Sequence, residues 1–164
     1  HNVAMAWIGQ EAIREHITSV SNTTRNQIIA QVEKGLDDGM GIEEIAGNIS
    51  KGIPSIAKAR GALIARTEIA GAANNGSFQA AKETGLMLNK EWVSVDDGRT
   101  RESHRQTNIN PSVVGMDEPF SIGGHSMQRP SDPSAPASET INCRCTLAYV
   151  VVDPFIADLD AEPI

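Results

Sequence analysis

Gly85 divides this chain by periodicity. Before it, apolar residues recur at intervals of three and four; after it they alternate, or give way to a run rich in Pro, Gly, Ser and Asn. In "TTRNQIIAQVEKGLDDG", Ile28, Val32 and Leu36 stand four apart with Ile29 beside them, one stripe of a helix. Thr24 and Gln27 fit a capping box at its start, and Gly39 suits its end. "GIEEIAGNISKGI" repeats the pattern with Ile42, Ile45, Ala46, Ile49 and Ile53, and Pro54 stops it. Ser55 can cap a longer helix that runs to about Gly85, so dense in Ala and Gly that it predicts close backbone approach to a neighbouring helix. A helical part over residues 1–85 follows.

Residues 86–152 predict a β and loop region, which makes the fold class α+β. "KEWVSV" is a short strand anchored by Trp92, and "DDGRTRESHRQ" is a turn leading into about one helical turn. Residues 107–139 are too long and too rich in Pro, Gly, Ser and Asn for an ordinary connection, with "VVGMDEPF" as an irregular strand inside them. "INCRCTLAYVVVD" alternates and is rich in β-branched residues, a strand pattern. The tail, residues 153–164, mixes acidic and apolar positions: it is a frayed end, or a docking peptide that buries Phe155, Ile156 and Leu159 in a partner.

Length and 40% hydrophobic content suffice for one core, and the 4% aromatic content leaves Ile, Val, Leu and Ala to build most of it. No run nears the roughly 18 apolar residues of a membrane span, and no leader pattern opens the chain, so the expectation is a soluble, unsecreted protein. Nine Lys/Arg balance nine Asp/Glu up to Lys90, whereas five face twelve from Glu91 onward, so the second half carries the whole net charge of −7. That distribution argues against a phosphate-gripping face. All five cations of the second half are arginines, which suit bidentate pairing with carboxylates inside the fold.

Cys143 and Cys145, the two cysteines of the chain, lie two positions apart. In an extended segment both thiols share one face with Ile141, Leu147 and Tyr149, while Asn142 and Arg144 take the other. A disulfide across so short a loop would be strained. The remaining readings are two small buried residues, a catalytic thiol, or part of a zinc site with His104 as third ligand and Asp97, Asp132, His125 or water as fourth. A Ser-His-Asp arrangement built on Ser103 and His104 is disfavoured, because adjacent residues rarely point at each other. In "ARTEIAGAANNG", Glu68 is either on a solvated face or buried against an arginine of the second half, Arg99 or Arg144.

Taken in order, "RTE", then "W-x-x-x-x-D-x-R-x-R-x-x-H" at Trp92, Asp97, Arg99, Arg101 and His104, then "DEPF", "GG", "RPSDP" and "NCRC" resemble the phage head morphogenesis family, the minor head proteins similar to the F protein of phage Mu. The resemblance runs from about Ile42 to Tyr149. It implies a non-enzymatic virion protein inside the phage head, present in the host cytoplasm during assembly. Its partners would be the portal protein and the inner capsid or scaffold, with contact to packaged DNA as a further option and no membrane. The role would lie in head assembly, packaging or genome ejection, and in some relatives the domain precedes a toxin enzyme. Family members also carry a C-x-x-C where this chain has Arg101 to His104 and a His shortly before the C-x-C. Arg101 and Thr140 stand in those places here, so only His104, Cys143 and Cys145 remain of that set: either metal binding is replaced by hydrogen bonds and ion pairs that Asp97, Arg99 and Arg144 supply, or the three hold a structural zinc. The expectation is therefore a structural knot of Asp97, Arg99, His104, Asn142, Cys143, Arg144 and Cys145, with Glu68 reaching it from the helix. The rival from another class is a metal- or thiol-dependent hydrolase that uses His104 with Cys143 and Cys145.

Overall fold

The structure, a computed structural model, describes residues 22–53 and 58–152. The expected stop at Pro54, the cap at Ser55 and the tail from residue 153 lie outside the described residues. Helices α1 (Asn22–Asp37), α2 (Ile42–Gly52) and α3 (Lys58–Glu83) come first. Their stripes meet as the periodicity requires: Ile28, Ile29 and Val32 of α1, Ile45, Ala46 and Ile49 of α2, and Ile64, Ala65 and Ala72 of α3 form one buried cluster. Gly39 closes α1 with a φ of 69°, which glycine adopts without penalty, and the Met40 N–H returns to the Gly35 carbonyl at 2.8 Å. Thr24 lies inside α1 and does not cap it.

The expected close approach of small residues occurs where α3 crosses α2. A Cβ on Gly61 would stand 3.2 Å from the Ala46 carbonyl oxygen and 3.2 Å from Ser50 Oγ, so the absence of a side chain sets this helix spacing. Gly76, further along the same helix, would meet nothing within 4 Å.

Strand β1 (Leu88–Val93) is the centre of a three-stranded antiparallel sheet in the order β2-β1-β5, with β2 at Val113–Gly115 and β5 at Thr146–Val151. A separate hairpin pairs β3 (Phe120–Ile122) with β4 (His125–Met127). Gly123 and Gly124 form its two-residue turn with φ of 58° and 81°, the positive angles that match strand twist. The expected strand "VVGMDEPF" is thus β2, a turn and β3, and Glu118 closes that turn by accepting the Gly115 N–H at 3.1 Å. Two 3₁₀ turns (Glu102–His104 and Gln106–Asn108) follow β1, and α4 (Ala137–Thr140) is a single turn before β5.

Trp92, on the buried face of β1, anchors a second core with Phe120, Ile122, Met127, Cys143, Cys145 and Leu147. Its ring meets Phe120 edge-on, centroids 5.4 Å apart. Phe78 of α3 belongs to this second cluster, so α3 is a wall shared by both cores. Asn74 on the same helix donates to the Cys145 carbonyl at 3.1 Å, and Ser77 donates to the Tyr149 hydroxyl at 3.2 Å. Lys90, two residues before Trp92, is fully buried. Its amine donates to the Gln128 carbonyl at 3.0 Å and to Gln128 Oε1 at 2.6 Å, and it lies 4.8 Å from the Phe78 ring centroid.

One boundary departs from expectation. β5 begins at Thr146, not within "INCRC", because Asn142 takes the left-handed conformation, with φ of 58°, and breaks the strand before it starts.

The Gly61 contact generates a paired prediction. Gly61→Val should push α2 from α3 and lower stability by about 1–3 kcal/mol. Gly76→Ala should raise it by up to about 1 kcal/mol, because only helix propensity changes there. Urea denaturation of both variants checks the contrast.

Candidate functional site

The 3₁₀ turn after β1 aims His104 inward, where it is 1% exposed and meets Trp92 edge-on at 5.4 Å. Its two ring nitrogens face different partners. Nε2 lies 2.9 Å from Glu139 Oε2, and because an ionised carboxylate only accepts, that contact places the imidazole proton on Nε2. Nδ1 is then a free lone pair, and it faces Cys143 Sγ at 3.6 Å and Cys145 Sγ at 3.5 Å. Both thiols are free and buried. The two are also coupled. Cys143 is held well below the ordinary thiol range by a hydrogen bond from Cys145. Cys145 is pushed up by that same bond and by burial.

Glu139 is held in turn. Ser103 Oγ donates to its Oε2 at 2.8 Å, and a Cβ on Gly123 would stand 3.1 Å from its Oε1. The Gly-Gly turn therefore does two things: it supplies positive φ, and it lets the hairpin close over the carboxylate that orients His104. Ser103 bonds Glu139 and not His104, so no Ser-His pair forms.

The turn before the thiols is tied to helix α3. Thr67 Oγ1 accepts the Asn142 N–H at 2.9 Å, Arg66 Nη1 donates to Asn142 Oδ1 at 3.0 Å, and Arg101 Nη2 donates to the Ile141 carbonyl. "RTE" and "NCRC" thus meet in space, but through Arg66 and Thr67. The expected reach of Glu68 to Arg99 or Arg144 does not occur: Glu68 is buried and has no hydrogen-bond or ion-pair partner among the described residues. Successive helical residues turn by about 100°, so the face that carries Arg66 and Thr67 to Asn142 turns the next side chain elsewhere. Burial pushes the Glu68 carboxyl up to about 8.

The other expected members sit around a small opening above the thiols. Asp97, Arg99, Thr100, Arg101, Asn142 and Arg144 border a cavity of about 20 Å³, room for one water. Arg99 turns back on Asp97 at 2.7 Å and holds that carboxyl below its usual range. Arg144 lines the opening with no hydrogen-bond partner among the described residues. The arginine–carboxylate pairing inside the fold that composition suggests holds for Arg129 with Asp132, both largely buried, whereas Arg99 with Asp97 and Arg105 with Glu102 and Asp96 pair at the surface. Asp132 and His125, two of the expected fourth ligands, are elsewhere: Asp132 accepts the Gln128 and Ser134 N–H groups of its own loop, and His125 is exposed. Among the described residues, the group of donors close enough to share a metal ion is His104, Cys143 and Cys145.

The family described as Phage Mu protein F like protein matches residues 26–148. This chain belongs to that family. Minor head protein GP7 of Bacillus phage SPP1 is 36% identical over 133 residues, covering 77% of this chain and 41% of the phage protein. The protein "NAD(+)--arginine ADP-ribosyltransferase EFV" of Enterococcus faecalis (strain ATCC 700802 / V583) is 29% identical over 153 residues, 92% of this chain and 31% of that protein. Uncharacterized protein YqbB of Bacillus subtilis (strain 168) is 24% identical over 149 residues, 89% of this chain and 48% of that protein. The chain thus spans less than half of each of these curated relatives. No solved structure matches it. The family expected from the ordered motifs is the family found; of those motifs, "RTE", the His104 segment, "GG" and "NCRC" meet around one site, while Asp132 of "RPSDP" serves its own loop.

Glu68 generates a pH prediction. The unfolded chain releases this proton near its ordinary value of 4.5, whereas the folded chain keeps it to about 8. Stability is therefore lost as pH rises through that window, by about 1.4 kcal/mol per unit. Glu68→Gln should match the parent near pH 5 and exceed it increasingly toward pH 8, in urea denaturation at each pH; a gap that does not change with pH would refute the buried neutral acid.

Proposed function

We propose that this chain is the architectural domain of a phage minor head protein, acting inside the head in assembly and in genome packaging or ejection. The observation that supports the reading is the family match over residues 26–148, together with 36% identity to a protein named as a minor head protein. The domain works by shape: the tied turn at Asn142 and the oriented His104 hold a long, irregular segment as a rigid surface. Its partners are the portal protein and the inner capsid or scaffold. Assembly places it in the host cytoplasm first and the virion afterwards. Direct grip on packaged DNA is the weaker option, because the second half carries the whole excess of negative charge. No helix of the described residues is long and apolar enough to cross a membrane.

The relative named as an ADP-ribosyltransferase is matched over only 31% of its length. We read the part that this chain shares with it as the head-morphogenesis module.

A thiol hydrolase has one observation in its favour: a cysteine, His104 and Glu139 stand in the order nucleophile, base, orienting carboxylate. Burial weighs against it. The thiols are 2% and 6% exposed beneath a water-sized opening, which admits no polymer or ester substrate.

Co-expression with the portal protein of the same phage tests the architectural reading. The expected result is a complex that co-elutes in size exclusion and survives moderate salt; separate elution of the two proteins would overturn it.

A further inference from the structure

We propose that His104 Nδ1, Cys143 Sγ and Cys145 Sγ bind a zinc ion whose fourth position, filled by water, opens to the cavity bordered by Asp97, Arg101 and Arg144. Tetrahedral geometry carries the argument. Zinc holds thiolate sulfur at about 2.3 Å and imidazole nitrogen at about 2.0–2.1 Å, which sets each nitrogen-to-sulfur edge of the tetrahedron at about 3.5–3.6 Å. The observed edges are 3.6 Å to Cys143 and 3.5 Å to Cys145, and all three donor atoms lie within 4.8 Å of one another. The ligands come from two distant pieces of chain, as in a site that staples a loop.

The surroundings are those of a metal-bound imidazole. Glu139 fixes the proton on Nε2 and turns the Nδ1 lone pair toward the thiols, the carboxylate–histidine–metal arrangement. Ser103 holds the carboxylate at the other side. Charge balances at the ion: two thiolates, a neutral imidazole and a divalent cation sum to zero, and the Glu139 carboxylate outside that set is held by hydrogen bonds from Ser103 and His104. Asp97 is unsuited to the fourth position because Arg99 and Thr100 already occupy its oxygens, whereas the cavity of about 20 Å³ takes one water. With two thiolates and one nitrogen, the set selects a soft, tetrahedral cation over magnesium or calcium.

The test uses the full chain, reduced, stripped with a chelator, then titrated with zinc and desalted. The expected result is one zinc retained per chain, a melting temperature raised by roughly 5–10 °C at zinc about 100 times its Kd, and a tetrahedral thiolate spectrum when cobalt(II) replaces zinc. Glu139→Gln should weaken binding by roughly 10–100-fold while leaving the cobalt spectrum tetrahedral. Cys143→Ser and Cys145→Ser should each weaken the sulfur-to-cobalt charge-transfer band, by roughly half where cobalt is still held, and the double variant should lose it. Should those variants fold poorly, the parent's stoichiometry and cobalt spectrum decide alone. A parent that retains no zinc and melts at the same temperature with or without it would leave only thiol–imidazole hydrogen bonds and overturn the proposal. So would zinc retained equally by the Cys143→Ser/Cys145→Ser double variant, which would place the ion at an adventitious site such as exposed His125.

Discussion

The carboxylate of Glu139, shared between Ser103 and His104, is where the two ends of a long irregular segment are joined. Residues between His104 and Glu139 contain only three-residue strands, a 3₁₀ turn and the start of the single-turn helix α4, too little regular hydrogen bonding to define a shape alone. Joining Ser103 and His104 to Glu139 closes that segment into a loop, and the thiols of Cys143 and Cys145 extend the clasp to the start of β5. Because His104 is buried, these bonds form away from competing water, where leaving one unmade costs about 1–3 kcal/mol per group.

The clasp has something rigid to fasten to. Helix α3 lines both hydrophobic clusters and presents Arg66, Thr67 and Asn74 to the segment that carries the cysteines. The left-handed turn at Asn142 is thereby fixed at its N–H and its side chain, while Arg101, from the loop after β1, holds the carbonyl before it. On the far side, Lys90 ties β1 to Gln128 through a buried amine that desolvation pushes down to about 8, against a rise from Asp117. Packing sets the position of the loop and polar bonds set its detail.

Helices α1 and α2 were legible because isoleucines at helical spacing leave little alternative, and the change of texture at Gly85 was legible because Trp92 and the run after it cannot continue an Ala-rich helix. His104 with the cysteine pair was legible from residue types that rarely occur by chance in such an order. Glu139 was not: a lone glutamate in "SET", within a Pro- and Ser-rich run, looks solvated until the Gly123–Gly124 turn folds over it. Its signal was position, four residues before the first cysteine and next to the turn that delivers it. Glu68 was misassigned to an arginine because residue type suggests a partner while helical rotation decides which face meets it. Arg101 went unread as a clasp member because its guanidinium bonds a backbone carbonyl, which no side-chain pattern announces.

The central claim is that His104 and Glu139 act as one unit that fixes the loop. A double-mutant cycle in the reduced, metal-free chain measures this directly: urea unfolding of His104→Ala, Glu139→Ala and the double variant. The account predicts a coupling of about 1 kcal/mol or more, with the double variant little worse than either single. Additive losses, within about 0.5 kcal/mol, would contradict it.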